Sequence, residues 1–339
     1  MWQVIGQERA VSLLQHGLEA GKLAHAYLFV GPEHVGKMTL AIALAKALNC
    51  KSDSSPCGKC MSCLRIAAGK HADVQVVQVA KNPDDEGKTK VDIGIEQIRS
   101  VLHSASLPPF EGEHRVYIFE EAERMSGDAA NCLLKTLEEP PEKVLFLLLT
   151  SNENLMLPTI VSRCQRLELK RLTVEKVESA LKSRNNIAPQ KGQLLARLSY
   201  GCLGWAINAS EDPALLQARS DRLGKLAEVL RADYFARLES AGQLEFQFKK
   251  GRESFLEMLD SWIGWWRDML LIKTGCPDAV VNIDYLARLT EMSQSFTLLQ
   301  IKSTIDTLKS TLQALRLNAN PRLALEVLML DLPKGAAKQ

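Results

Sequence analysis

No segment of this 339-residue chain is apolar for long enough to cross a bilayer, so a helical membrane protein is not expected. The opening stretch MWQVIGQERA has no basic region leading into an apolar run and a small-residue cleavage site. An export signal is therefore not expected, and the cytoplasm is the expected compartment. Net charge is nearly missing: 42 Lys and Arg against 40 Asp and Glu leave +2. No global basic field points to nucleic acid, although local patches of opposite sign can cancel in such a sum. Internal repeats and low-complexity tracts are also missing, which sets repeat architectures aside.

What is present is ordinary globular material, with 46% hydrophobic and 24% charged residues. The length predicts about two or three domains. Eight cysteines raise the question of disulfides, but four of them cluster and the others, Cys132, Cys164, Cys202 and Cys276, are scattered. Without an export signal, reduced thiols and a metal site are expected in place of a disulfide framework.

The first half alternates short apolar runs with helical stretches, the pattern of a parallel sheet covered by helices on both faces. Strands are predicted at Tyr27 to Val30, Val74 to Val79, Val116 to Phe119 and Leu145 to Leu149, with a strand-like Gln165 to Leu169 after them. Helices are predicted at Thr39 to Asn49 and at Asp128 to Glu138, the second stopped by Pro140 and Pro141. The run from Lys81 to Lys88, KNPDDEGK, reads as a mobile polar loop. From about Leu172 the strand signal vanishes and amphipathic helices follow one another, including Val174 to Lys182 and Gln193 to Leu198. Ser210-Glu211-Asp212-Pro213 has turn chemistry, so boundaries are expected near 170 and 212.

The segment Gly31-Pro32-Glu33-His34-Val35-Gly36-Lys37-Met38-Thr39 sits between a predicted strand and a predicted helix, the context a phosphate loop requires. Gly31 and Gly36 permit the tight turn, backbone N–H groups and the helix N-terminus can surround phosphate, and Lys37 can reach the terminal phosphates. The position after the lysine should offer magnesium a hydroxyl, yet it holds Met38, whose thioether suits a hard cation poorly. Thr39 comes one residue late, about 100° around the helix. The strand ending at Phe119 runs into Glu120-Glu121, where an Asp-Glu pair would hold magnesium and polarise water. Two solvated carboxylates at a strand end are the plainer reading of that pair. Thr150, with Ser151 and Asn152, stands where a γ-phosphate sensor would lie, but short hydroxyl residues also simply form turns.

Cys50, Cys57, Cys60 and Cys63 follow a C-x6-C-x2-C-x2-C pattern, enough thiolates for one closed tetrahedral zinc site of structural type. Arg163, in Ser162-Arg163-Cys164, is open to two readings: a capping or surface arginine, or a finger reaching a neighbouring subunit's nucleotide. Trp262, Trp265 and Trp266, with Phe255 upstream, have near-helical spacing and are assigned to core or interface packing in preference to base stacking.

Together these stretches resemble the bacterial clamp-loader family of AAA+ proteins associated with DNA polymerase III. The resemblance is carried by Val4-Ile5-Gly6-Gln7, His25 to Phe29, the phosphate loop, the cysteine cluster, Asn131 to Pro141 (NCLLKTLEEPP) and Ser162-Arg163-Cys164. It implies an α/β AAA+ domain over 1–170 with a parallel sheet and a zinc module at 50–63, an all-α lid over 171–212, and an all-α collar over 213–339. It also implies that Arg163 acts in trans on ATP held by the next subunit. Motor members of the family carry a hydroxyl after the loop lysine and a sensor arginine in the lid; Met38 and Gly204 stand at or near those places here. The Gly201-x-x-Gly204-x-Ala206 pattern and the segment Asn318 to Glu326 (NANPRLALE) are similar to the non-motor branch.

The resulting expectation is a non-motor subunit that supports ATP-dependent loading of a sliding clamp on primed DNA, with weak or no ATPase of its own. Its partners would be motor (tau/gamma) and delta subunits, the clamp and primed DNA. Its degenerate nucleotide site would comprise Gly31, Gly36, Lys37, Thr39, Glu120, Glu121 and Thr150, with the magnesium site degraded and nucleotide binding left open. Two alternatives are an active motor subunit of the same loader and a zinc-bearing DNA-binding scaffold outside any loader.

Overall fold

The computed structural model describes residues 2, 4–52, 55–79, 92–184 and 187–333. The polar loop expected from Lys81 to Lys88 lies outside them. The chain divides into two compact units, Met1–Ala180 with Tyr200–Trp205, and Leu181–Ser199 with Ala206–Gln339.

The first unit contains α1 (Glu8–Glu19), β1 (Ala26–Val30), α2 (Lys37–Asn49), α3 (Met61–Ala67), β2 (Val74–Val77), α4 (Ile95–Ala105), β3 (Arg115–Phe119), α5 (Gly127–Glu138), β4 (Val144–Thr150), α6 (Pro158–Val161) and β5 (Gln165–Glu168). The strands pair in parallel in the order β2-β3-β4-β1-β5. β1 and β4 are buried at every position, as the unbroken apolar runs AYLFV and VLFLLLT require of strands covered on both sides.

Alternate side chains along each strand feed two cores. Leu28, Tyr117, Phe119, Phe146 and Leu148 pack with Ile98 and Val101 of α4 and with Leu133 and Leu137 of α5. Tyr27, Phe29, Ile118, Leu145 and Leu147 pack with Leu14 of α1, Leu40 and Leu44 of α2 and Ile66 of α3. Burying each such large side chain contributes about 1.5–3 kcal/mol, so the sheet is a rigid base for the loops at its ends. α5 begins where the Ser126 hydroxyl caps Ala129 N and ends before the Pro140-Pro141 pair.

Several element ends shift from expectation; the helix expected from Gln193, for example, starts at Pro189. β2 ends at Val77 and does not run to Val79. Its last pairing is Val77 with Phe119, after which the Gln78 side chain turns to Glu120 and the Gln78 carbonyl accepts from Gln97 of α4. Those side-chain bonds take the place of a continued ladder.

No strand follows Glu168 among the described residues. The helices are α7 (Val174–Ser183), α8 (Pro189–Leu198), α9 (Leu203–Glu211), α10 (Pro213–Arg231), α11 (Tyr234–Lys250), α12 (Arg252–Lys273), α13 (Leu286–Gln294), α14 (Leu298–Arg316) and α15 (Pro321–Asp331). α10 starts at the expected Ser-Glu-Asp-Pro turn, where Asp212 caps Ala214 N and Pro213 occupies the first helical position.

The second unit is organised around α12. Trp262 and Trp266 are fully buried, Trp265 is nearly so, and the Trp262 indole donates to Arg222 O at 2.9 Å. These rings are core packing, which closes the base-stacking reading. The fully buried Arg237 donates to the carbonyls of Val229, Leu230, Leu332 and Pro333, joining the C-terminal ends of α10 and α15. Four carbonyls at two helix C-termini suit a cation there.

Candidate functional site

The phosphate loop follows from close backbone approach. A Cβ on Gly31 would lie 2.6 Å from Leu169 O, so only glycine lets the end of β1 pass that backbone. Gly36 has φ 107° and caps α2, a conformation that L side chains rarely adopt. Lys37 is the first residue of α2, and its Nζ donates to Gly31 O at 2.5 Å and Pro32 O at 2.8 Å. The lysine thus closes the loop on its own carbonyls. Burial pulls the Lys37 pKa down, opposed by nearby acids of which Glu123 acts most strongly.

Met38 packs against the apolar core shared by α1 and α2, and Thr39 is exposed. Neither places a hydroxyl beside Lys37. Glu120, at the end of β3, accepts from the Gln78 side chain at 2.6 Å. Glu121 has φ 49°, is exposed, and pairs with Arg124 at 2.7 Å. With this left-handed backbone the carboxylate forms a local surface ion pair. Thr150 is fully buried, pairs with Val30 across the sheet, and accepts from Asn152 N at 3.1 Å.

A carboxylate that the sequence reading did not single out lies here. Glu123, on a single 3-10 turn (Ala122–Arg124), accepts from Ser151 N at 3.0 Å and from the Ser151 hydroxyl at 2.6 Å. Burial pushes its pKa up, but the hydrogen bonds from Ser151 prevail and hold it below the ordinary carboxylate value. The signal was present only as an acid three residues after Glu120, which is meaningful once the tight turn is known.

Gly204 N donates to His34 O at 2.9 Å, and a Cβ at 204 would sit 2.8 Å from the same oxygen. The segment near the expected sensor position therefore lies directly on the phosphate loop. Neighbouring Cys202 is buried, and burial raises its pKa. A larger residue at 204 must displace the loop or itself.

Arg163 follows the short α6, with its backbone N bonded to Ile160 O at 3.0 Å. Its guanidinium is shared among Glu138 Oε1, through Nε and Nη2, and Thr159 O and Ser162 Oγ, through Nη1. Glu138 belongs to the NCLLKTLEEPP helix, so two separate stretches meet in one ion pair. Side-chain exposures of 34% and 51% limit such a pair to about 0.2–1 kcal/mol. It orients the guanidinium more than it stabilises the fold.

The Sγ atoms of Cys50, Cys57, Cys60 and Cys63 all lie within 4.8 Å of one another. Tetrahedral zinc with Zn–S near 2.3 Å needs sulfurs about 3.8 Å apart, so the cluster could hold such a metal. Backbone N–H groups of Cys57, Lys59, Cys60 and Cys63 already point at these sulfurs. The Lys59 and Cys60 amides bring the Cys57 thiol down to about 6, favouring thiolate, whereas burial pushes Cys63 up to about 12.

Residues 6–173 match the sequence family described as DNA polymerase III, delta subunit. The delta' subunit of DNA polymerase III from Bacillus subtilis is 30% identical over 333 residues, covering 97% of this chain and 97% of that protein. The chain belongs to the clamp-loader AAA+ family of DNA polymerase III. Tau subunits are similar as well: that of Escherichia coli is 39% identical over 61% of this chain and 32% of its own length. That of Bacillus subtilis is 31% identical over 96% of this chain and 60% of its own. The chain thus spans a third to less than two thirds of these two tau relatives. Among solved structures, a gamma subunit-related protein of Thermotoga maritima aligns with 94% of this chain and 97% of its own at 17% identity and a TM-score of 0.43. Within the clamp-loader family, the α/β unit with its parallel sheet, the cysteine cluster and the helical remainder are as expected from the resemblance.

Proposed function

We propose that this chain is a delta-prime-type, non-motor subunit of the clamp loader, which donates Arg163 in trans to a motor subunit's ATP and has little or no ATPase of its own. In this reading it works with motor (tau/gamma) and delta subunits to place the sliding clamp on primed DNA. Residues 1–170 are the AAA+ domain, 171–212 the lid and 213–339 the collar. Its compartment is the cytoplasm; among the described residues no helix is long and apolar enough to cross a membrane.

The observation that carries the reading is Met38. Its side chain is spent on core packing at the position where magnesium needs a hydroxyl. Glu121, drawn into a surface pair with Arg124, weakens the same site from the other side. Single-turnover ATP hydrolysis by the isolated chain tests this: the expected rate is far below that of a motor subunit. A comparable rate, abolished by Lys37→Ala, would overturn it.

The motor reading draws support from two tau subunits, one 39% identical over 61% of this chain and the other 31% identical over 96% of it. The likeness to the delta' relative runs nearly end to end in both proteins.

The cysteine cluster is proposed to hold one structural zinc. Elemental analysis should find about one zinc per chain. Chelation should loosen the module between α2 and β2 and leave the helical unit folded, since metal binding there is local folding free energy. A metal-free chain with an unchanged hydrogen-exchange pattern over 50–73 would remove the zinc.

A further inference from the structure

The turn at the end of β4, where the sequence places a γ-phosphate sensor, adjoins the phosphate loop: Thr150 pairs with Val30 and its carbonyl accepts from Gly31 N at 3.2 Å. In this chain that turn is already engaged by an anion. Glu123 Oε1 takes both the Ser151 amide and the Ser151 hydroxyl. The other oxygen, Oε2, is buried and has no hydrogen-bond partner. A buried carboxylate oxygen without a donor is costly unless a cation lies close by. Glu123 is the acid whose field acts most strongly on Lys37, ahead of Glu33 and of Glu120.

We propose that the Glu123 carboxylate, seated on the Thr150-Ser151 turn beside the phosphate loop, is an internal stand-in for a nucleotide's terminal phosphate and makes the loop select against nucleoside triphosphates. The chemistry is a competition between anions. A γ-phosphate received at this turn would compete for the Ser151 donors that the carboxylate already takes, and would sit beside a fixed negative charge. Like charges brought close together at a protein surface repel, which disfavours the extra phosphate. A nucleoside diphosphate stops short of that position and meets less of the repulsion. Glu121 cannot play this part, since Arg124 holds it at the surface.

The inference rests on reading the loop as non-hydrolysing, and the experiment separates the two. Fluorescent diphosphate and a non-hydrolysable triphosphate analogue are titrated into the full chain, into Glu123→Gln and into Glu123→Ala. The unaltered chain should bind the diphosphate at least about tenfold more tightly than the triphosphate, in the direction that like-charge repulsion sets. Both variants should raise triphosphate affinity relative to diphosphate by about tenfold, and Glu123→Gln, which keeps one acceptor for Ser151, guards against a folding artefact. Equal affinities for the two nucleotides in the unaltered chain overturn the proposal without any variant. So do variants that leave the ratio unchanged, and so does the lack of nucleotide binding by both variants when they are folded. Rapid hydrolysis by the unaltered chain would instead strike at the non-motor reading, which is measured separately.

Discussion

The phosphate loop and the Ser162-Arg163-Cys164 segment sit on one sheet and are built in opposite ways. At the loop, charged groups are engaged from within: Lys37 by the carbonyls of Gly31 and Pro32, and one oxygen of Glu123 by Ser151. At the segment, the guanidinium of Arg163 stays partly exposed and is held by a single half-exposed carboxylate, Glu138, with help from Thr159 O. A site whose partners are internal has little left to offer a ligand. A preoriented, accessible cation has a great deal to offer an anion on another molecule. The contrast is the physical content of the non-motor reading.

The most severe way to break the contrast is to remove the arginine. Arg163→Ala should lower hydrolysis at the neighbouring site it faces by about a thousandfold, with assembly intact by size-exclusion chromatography; clamp loading by the reconstituted loader would report it. Unchanged loading would return Arg163 to a capping role. Second in size is Gly204→Ala, whose Cβ meets His34 O at 2.8 Å. Overpacking against backbone should cost about 1–3 kcal/mol of stability, seen as a lower denaturant midpoint for the first unit. An unshifted midpoint would mean that the loop yields freely. Smaller still is Glu138→Gln, which removes the charge that orients Arg163 and leaves the guanidinium its bonds to Thr159 O and Ser162 Oγ. Loading should fall by about two- to tenfold, with stability changed by less than about 1 kcal/mol; an effect as large as that of Arg163→Ala would give Glu138 a direct part in the reaction.

What was legible in the sequence follows from how local each signal is. The phosphate loop and the cysteine cluster are written within a few residues, so spacing alone located them, and the helix ended by Pro140-Pro141 was equally plain. β1 and β4 were visible because strands buried on both faces have unbroken apolar runs. α4 was not located, since its amphipathic pattern starts directly after a polar stretch that obscures its beginning. The pairing of Arg163 with Glu138 joins residues 25 apart in sequence through tertiary packing, and no spacing rule announces it. Glu123 was missed for a different reason. The eye follows the acid pair at the strand end, whereas the positive φ of Glu121 sends that side chain outward and the next turn brings Glu123 inward. The resemblance to the clamp-loader family named Arg163 as functional; the structure adds the side chains that hold it.

The account turns on which of two cations in this chain matters to ATP hydrolysis, and a paired measurement on the reconstituted loader asks that directly. ATP turnover and clamp loading are compared for loaders carrying Lys37→Ala or Arg163→Ala in this subunit alone. The account predicts that Lys37→Ala leaves both rates within about twofold of the unaltered loader, while Arg163→Ala lowers both, through loss of an arginine finger. Loss of turnover with Lys37→Ala and none with Arg163→Ala would contradict it.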